Sequence, residues 1–257
     1  MLPELVSVVV PRRSGGYIAA TQTGFCHLDI DTGTLVPFAS PNSGLPNRRF
    51  NDGKCDAMGR LWAGTLALDG TPGHDTLYRL DPDGTLHEIE TGFHVCNGMG
   101  WSPDSTRFYL TDSGSRTIFV YDFDLTHGRP SNKRVLKTFD ATDGKPDGLA
   151  VDADGYLWCA MWDGNALKRL TPDGRLDRTI ALPVPRPTSC AFGGDDLKTL
   201  YITTARAGLS EAQLDAAPLS GSVLSLTTDV AGAPVGQYGD QERGAHGGAG
   251  DVSSSGT

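Results

Sequence analysis

The sequence has little positive charge and no long apolar segment. It contains 22 Lys and Arg against 31 Asp and Glu in 257 residues, which gives a formal net charge of −9. A surface that neutralises nucleic-acid phosphates is basic, so we expect no nucleic-acid partner and interpret the acidity as ordinary solubility charge. No apolar run approaches the roughly 18–20 residues of a membrane span. No basic leader precedes the short run Leu5–Pro11, so we predict no signal peptide, no membrane contact and a cytoplasmic location.

Cysteine and histidine are scarce and are not arranged as metal ligands. The five cysteines are Cys26, Cys55, Cys96, Cys159 and Cys190. Their number is odd and none forms a CxxC pair, so we expect buried free thiols in a reducing compartment and no zinc site built from them. The six histidines form no HxxxH or HExxH pattern, which disfavours histidine ligation of a metal.

Glycine and proline, in contrast, are abundant, with 33 and 16 copies, as expected for short strands joined by tight turns. Residues 55–65 are nearly repeated at residues 151–161. Both segments are typical of a strand, an Asp-x-x-Gly turn and a second strand with an inward Trp. A unit of this kind that recurs every roughly forty to fifty residues predicts a β-propeller.

Five such units can be aligned along the chain. They begin near Val6, Asn51, Asn97, Asp147 and Thr188. The middle spacings, roughly 46 and 50 residues, fit four strands per blade. We therefore predict an all-β propeller domain over residues 1–238. The Gly/Ser-rich segment 239–257 lacks apolar periodicity and is predicted to be a disordered tail.

A polar residue stands beside glycine near the start of the three middle units: Asn51, Asn97 and Asp147. The innermost strands of a propeller line its central channel, so equivalent positions converge at one end of the axis. Two Asn and one Asp there would offer hard oxygen ligands to Ca²⁺, Mg²⁺ or Mn²⁺, or to borderline Zn²⁺. We interpret the adjacent glycines as allowing a cation to approach. The alternative is that all three are ordinary turn residues.

Three further residues near Asn51 are assigned by strand alternation. Arg49 lies two residues earlier and would face the same side, where it could hold substrate oxygens. The alternative is a surface arginine. Asp52 and Lys54 alternate away from Asn51 and are predicted to be structural.

At these residues the chain resembles the SMP-30/gluconolactonase/regucalcin-like family of six-bladed propellers. The matching segments, in the order and spacing of the family, are residues 49–54, 59–65, 97–102, 146–149, 188–194 and 201–206 with Gly208-Leu209. The resemblance spans about residues 6–236. It implies an all-β fold of the six-bladed propeller family and a metal-dependent hydrolase of sugar lactones.

The resemblance also implies roles for individual residues. Asn97 and Asp147 would bind one divalent cation (Ca, Zn, Mn or Mg), and Arg49 and Asn51 would bind the sugar lactone. The cation would polarise the lactone carbonyl, and Asp147 would act as general base and then protonate the leaving hydroxyl. The substrate-contacting acid of the family falls in the loop at residues 66–75, which aligns too poorly for an assignment.

One metal ligand of the family has no counterpart. The family places a Glu in a Gly-Glu-x-Pro-x-Trp segment that is absent here, and Leu2-Pro3-Glu4 matches the lead into the following blade. We therefore expect the sequence to begin about one blade late, with about five of six blades present and weak or no activity. The alternative is a shortened propeller that closes with five blades.

The competing function is a non-enzymatic calcium-binding regulator or binding propeller. The sequence leaves open which lactone is used, which metal is native and what the oligomeric state is.

Overall fold

The computed structural model describes residues 3–239. Its strands are β1 (Val6–Pro11), β2 (Tyr17–Thr21), β3 (Phe25–Asp29), β4 (Thr34–Ala39), β5 (Arg48–Cys55), β6 (Leu61–Ala67), β7 (Asp75–Leu80), β8 (Leu86–Phe93), β9 (Cys96–Trp101), β10 (Arg107–Asp112), β11 (Thr117–Asp124), β12 (Arg129–Thr138), β13 (Lys145–Val151), β14 (Leu157–Trp162), β15 (Ala166–Leu170), β16 (Leu176–Ala181), β17 (Pro187–Gly193), β18 (Thr199–Thr204) and β19 (Val223–Thr227). A 3₁₀ turn (Ala141–Asp143) and helix α1 (Glu211–Ala216) are the helical elements of the described chain, where no helix is long and apolar enough to cross a membrane.

The strands form five antiparallel sheets of consecutive strands, which are the blades of a propeller. Blades one to four contain β1–β4, β5–β8, β9–β12 and β13–β16, and blade five contains β17–β19. The five units predicted from the sequence are confirmed, whereas a six-bladed ring is not: residues 3–239 form five blades. The predicted tail, apart from Gly239, lies outside the described residues.

The first strand of each blade lies at the centre. β1, β5, β9, β13 and β17 contact one another in this order, so they line the central channel. Apolar side chains on alternating positions pack between neighbouring blades; in β18, for example, Leu200 and Ile202 are buried while Tyr201 is exposed. All five cysteines are buried and free, as predicted.

The repeated sequence unit corresponds to a buried hydrogen-bonding cluster. In blade four, Asp152 Oδ2 accepts hydrogen bonds from Trp158 Nε1 at 2.9 Å and Arg169 Nη2 at 2.7 Å, while its Oδ1 accepts from the backbone of the following turn. Blade two repeats the arrangement, with Asp56 Oδ2 accepting from Trp62 Nε1 at 2.9 Å and Arg60 Nε at 2.6 Å. One carboxylate thus fixes the turn, the inward Trp and a buried Arg together.

Residues 231–239 cross the end of the propeller and connect distant blades. The backbone of this segment bonds to Val151 and Ala153 in blade four, and Gly236 forms a bridge to Cys55 in blade two. Tyr238 then bonds through its backbone to Pro11, and its hydroxyl donates to the carbonyl of Asp81 at 2.7 Å. We call residues 231–239 the crossing segment; it fastens blades one, two and four to one another.

The buried cluster predicts a strong effect of Asp152→Asn. Loss of this charge leaves Arg169 with Asp177 as its remaining anionic partner, and breaking a buried ion pair costs about 3 kcal/mol. Urea unfolding should report a free energy of unfolding lower by this amount. Asp154→Asn, in the same turn but exposed, is the matched control and should change it by less than about 0.5 kcal/mol. Equal effects of the two substitutions would contradict the role of the buried carboxylate.

Candidate functional site

The predicted site residues lie at one end of the channel. Asn51, Asn97 and Asp147 stand in the starting halves of β5, β9 and β13, which are neighbouring first strands. Asn51 Nδ2 donates to the carbonyl of Cys96 at 3.1 Å, beside Asn97. A side-chain hydrogen bond from Asn97 in turn stabilises the ionised form of Asp147. The structure therefore brings these three side chains into one continuous group.

Arg49 joins this group through Asn51. Its Nη1 donates to Asn51 Oδ1 at 3.1 Å, to the Phe50 carbonyl at 2.8 Å and to Ser7 Oγ at 3.1 Å. Burial lowers the pKa of Arg49, and the charges of Asp147 and Asp75 oppose that shift. Among the described residues all its hydrogen bonds use Nη1, so the guanidinium is held in place with Nη2 and Nε left for a ligand.

Ser113 orients Asn97 and was not anticipated from the sequence. Asn97 Nδ2 donates to Ser113 Oγ at 3.0 Å, and Ser113 Oγ donates to the carbonyl of Pro146 at 2.6 Å. The bond to Ser113 fixes the amide so that Oδ1 is the atom of Asn97 available as a ligand. Ser113 follows β10, and no motif marks it; only the pairing of β10 with β9 places it behind the site.

The glycines beside Asn97 and Asp147 lie where neighbouring first strands approach closely. A Cβ on Gly98 would overlap the backbone of Asp147 and Leu149, and a Cβ on Gly148 would overlap Ser189. Neither glycine has a positive φ. The missing side chains therefore let adjacent first strands approach closely, and strand packing is a sufficient reason for both glycines; that they also let a cation approach stays a prediction.

Asp147 has an environment that disfavours its charge. It is partly exposed to the channel yet surrounded by protein. Burial, followed by repulsion from Asp52, raises the pKa of Asp147 to about 8, against the stabilising effects of Asn97, the Gly148 backbone and Arg49. A carboxylate of this kind gains from a cation placed beside it, and once ionised it is a stronger base than an ordinary aspartate.

Asp52 and Lys54 also face the channel, which corrects the prediction that they alternate away from it. Lys54 Nζ donates to the carbonyl of Leu149 at 2.7 Å, reaching from β5 to β13. Burial raises the pKa of Asp52, and Lys54 opposes the shift. The alternation fails because the pairing of β5 with β6 shifts register between Phe50 and Gly53, and such an irregularity turns the side chains that follow it.

Asp75 lies behind Arg49 and was also missed. Its side chain is fully buried at the start of β7; Oδ1 accepts from Thr65 Oγ1 at 3.3 Å, and Oδ2 has no partner in the described chain. Burial raises the pKa of Asp75 to about 7, although the charge of Arg48 opposes it. No sequence signal distinguishes this residue from Asp69, the acid of the preceding loop.

The oxygen atoms of Asn97 and Asp147 could bind a hard cation, although they provide few protein ligands. Within residues 3–239, no three His, Cys, Asp or Glu side chains come together as a metal site. Asn97 Oδ1 and the Asp147 carboxylate are oxygen ligands of the type that Ca²⁺ or Mg²⁺ accepts, and a cation there would offset both the burial of Asp147 and its repulsion by Asp52. The residues thus fit a divalent cation whose remaining ligands are substrate and water.

Comparison with known proteins identifies the family. Residues 1–206 match the SMP-30/Gluconolactonase/LRE-like region. The chain belongs to this family. It is 37% identical over 228 residues to regucalcin of Oryctolagus cuniculus, a match that covers 86% of this chain and 76% of that protein.

Solved structures agree with this membership. A calcium-binding protein, regucalcin, from Agrobacterium tumefaciens is similar with a TM-score of 0.88 and 28% identity over 92% of this chain and 80% of that one. A luciferin-regenerating enzyme is similar with a TM-score of 0.79 and 31% identity over 93% and 81% of the two chains. Both comparisons extend over nearly the whole described propeller.

The buried Asp75 predicts a pH-dependent stability. Below about pH 4 the carboxyl is protonated in both the folded and the unfolded chain. Between there and pH 7 only the unfolded chain ionises, so the folded state loses up to about 1.4 kcal/mol per pH unit. The Asp75→Asn variant lacks this contribution, and its free energy of unfolding should improve relative to wild type from pH 5 to pH 7.5.

Chemical denaturation at several pH values measures the difference in free energy of unfolding between the Asp75→Asn variant and wild type. Asp69→Asn, an exposed acid of the same loop whose backbone partner lowers its pKa, is the control and should not reproduce the trend. If wild type and the Asp75→Asn variant changed in parallel over this range, the ionisation assigned to Asp75 would be wrong.

Proposed function

We propose that the protein is a hydrolase of sugar lactones that requires one divalent cation. The observation that carries the proposal is the convergence of Arg49, Asn51, Asn97 and Asp147 at one end of the channel, joined by hydrogen bonds. Membership of a family that includes gluconolactonases supports the reaction class. A propeller that served only as a scaffold would not need a buried acid, an oriented amide and a fixed guanidinium at one place.

Asn97 and Asp147 are the proposed cation ligands. The bound cation would polarise the lactone carbonyl and stabilise negative charge that develops on its oxygen. Ser113 keeps the Asn97 amide oriented, and the Asp147 carboxylate supplies the negative charge of the protein ligands. With one carboxylate in this set, we expect modest affinity, because cation affinity rises with the number of charged ligands.

Asp147 is the proposed general base. Its ionised carboxylate takes a proton from a water molecule as the water oxygen bonds to the lactone carbonyl carbon. The ring C–O bond then breaks, and the protonated Asp147 returns the proton to the departing alkoxide, which yields the open hydroxy acid. Burial and the charge of Asp52 raise the pKa of Asp147, which makes its ionised carboxylate a stronger base than an ordinary aspartate.

Arg49 and Asn51 are proposed to orient the sugar. Their mutual hydrogen bond and the three-point attachment of Arg49 Nη1 fix both side chains before substrate binds. Hydroxyl and ring oxygens of a lactone are acceptors for the remaining guanidinium N–H groups. A positioned substrate needs less reorganisation on the way to the transition state, which raises the rate of the chemical step.

A second candidate is a calcium-binding regulator without catalysis. The solved relative from Agrobacterium tumefaciens is described as a calcium-binding protein, and the two proposed ligands are of the kind that Ca²⁺ accepts. Both functions require cation binding at Asn97 and Asp147, so they differ in turnover alone.

Turnover by wild type separates the two functions, and Asp147→Asn tests the role of Asp147 in that turnover. The variant keeps the size of the side chain but removes both the base and the charge of a proposed cation ligand, so we expect cation-stimulated hydrolysis of glucono-lactone, low in wild type, to fall by at least about 100-fold. A pH-indicator assay with added Ca²⁺, Mn²⁺ or Zn²⁺ measures it, with Asp154→Asn as the control that should retain the wild-type rate. Absence of cation-stimulated hydrolysis in wild type, together with calcium binding, would favour the regulator.

Ser113→Ala tests the orientation of Asn97. Outer hydrogen bonds to metal ligands contribute roughly 10–100-fold to affinity, and we expect Ca²⁺ binding by calorimetry to weaken by about tenfold. Ser115→Ala, two residues away and exposed, should leave the affinity unchanged. An unaltered affinity in the Ser113→Ala variant would mean that Asn97 is not a ligand or is held by other contacts.

A further inference from the structure

A cavity of about 410 Å³ lies at the end of the channel opposite the candidate functional site. The ends of four first strands and the crossing segment form its walls, and the residues that define its character are Cys55, Trp101, Val151, Phe192, Pro234 and Val235. This volume lies within the range of about 300–1,000 Å³ that is typical of small-molecule sites.

The cavity is distinct from the candidate catalytic site. The site residues occupy the starts of β5, β9 and β13, whereas the cavity residues occupy the ends of the same strands. From Asp147 to Val151 the strand rises about 13 Å. Lys54 spans the channel between the two regions, because its ammonium donates to the Leu149 carbonyl on the opposite strand.

Lys54 gives the cavity a defined polarity. Among the described residues it is the only charged one in the lining, and it is partly buried. An ammonium group has three N–H donors, and the carbonyl of Leu149 takes one of them. Burial lowers the pKa of Lys54, while the charge of Asp52, two residues earlier on the same strand, opposes the shift. A further anion on the cavity side would recover part of this desolvation cost.

We propose that the cavity binds a small carboxylate with an apolar body, with the carboxylate at Lys54 and the body against the apolar walls. Alanine, valine, proline and aromatic side chains dominate the lining, with Ser102 and Ser105 as its neutral polar side chains, so the walls suit an apolar body better than a polyhydroxylated ligand. Within residues 3–239 no carboxylate side chain lines the cavity, so the lining offers a cationic ligand no anionic partner.

The crossing segment is the outer wall of this site. Gly236 lies so close to the backbone of Asp56 that a Cβ would overlap it, and Gly232 packs in the same way against Phe192. Pro234 and Val235, between them, line the cavity, and Val235 is 55% exposed. A ligand in the cavity contacts both the blades and this segment, so its binding stabilises the attachment of the segment.

Octanoate is a suitable probe, with octan-1-ol and octylammonium as neutral and cationic counterparts. Calorimetry on the whole chain at neutral pH should detect saturable octanoate binding and no octylammonium binding. Lys54→Met should weaken octanoate binding by at least tenfold and leave octanol binding unchanged. Because Lys54→Met could also disturb Asp52, circular dichroism and thermal unfolding must first show a folded variant.

Ala191→Trp provides a second route that leaves Lys54 in place. Ala191 lines the cavity from an exposed position, so a larger side chain fills space without entering the core. This variant should lose octanoate and octanol binding alike. Asp147→Asn should bind octanoate as wild type does, which separates this cavity from the proposed lactonase site whether or not hydrolysis is observed.

Three results would overturn the proposal. They are no saturable octanoate binding to wild type, equal octanoate affinity in wild type and a folded Lys54→Met variant, or loss of octanoate binding in Asp147→Asn. Loss of octanoate binding in Asp147→Asn would place the ligand at the proposed lactonase site instead of the cavity.

Discussion

The close approach of neighbouring first strands is the constraint on which the rest of the propeller depends. At Gly98 and Gly148 any side chain would collide with the next blade, so these positions set the distance between β9, β13 and β17. That distance in turn brings Asn97 within hydrogen-bonding reach of Asp147 and lets Ser113 of blade three bond to Pro146 of blade four. The geometry of the candidate site is therefore a consequence of how the blades pack, and substituting a larger residue at either glycine would move ligands as well as strands.

The channel contains buried or partly buried charges of both signs. Arg49 and Asp147 lie at the upper end, Asp52 and Lys54 lie below them, and each is desolvated by the surrounding blades. Four desolvated charges can be buried together because each lies near a charge of opposite sign or can become neutral by gaining or losing a proton. The same arrangement leaves Lys54, among the described residues, as the single charged side chain that lines the apolar cavity.

The repeated architecture could be predicted from the sequence because each feature of the repeat depends on residues that are adjacent in the chain. The Asp-x-x-Gly turn, the inward Trp and the alternation of apolar residues each depend on a few adjacent positions, and the five blades follow from them. The convergence of Asn51, Asn97 and Asp147 could be predicted because equivalent positions of a repeat lie at the same end of the channel. Asp52 and Lys54 were misplaced because a register shift within β5 breaks the alternation that the prediction assumed. Ser113 and Asp75 could not be found, since their importance comes from contacts with other strands that no local pattern records.

The crossing segment has a consequence for how the chain folds. Each blade is a set of consecutive hairpins that can form from local contacts, but the hydroxyl of Tyr238 reaches a residue 157 positions earlier. Contacts of such sequence separation carry a large loop-closure entropy and form late. During synthesis, blades one, two and four emerge long before the residues that fasten them. We therefore expect hydrogen exchange to find individually protected blades in a refolding intermediate, with the amides of Arg13 and Tyr238 among the last to gain protection.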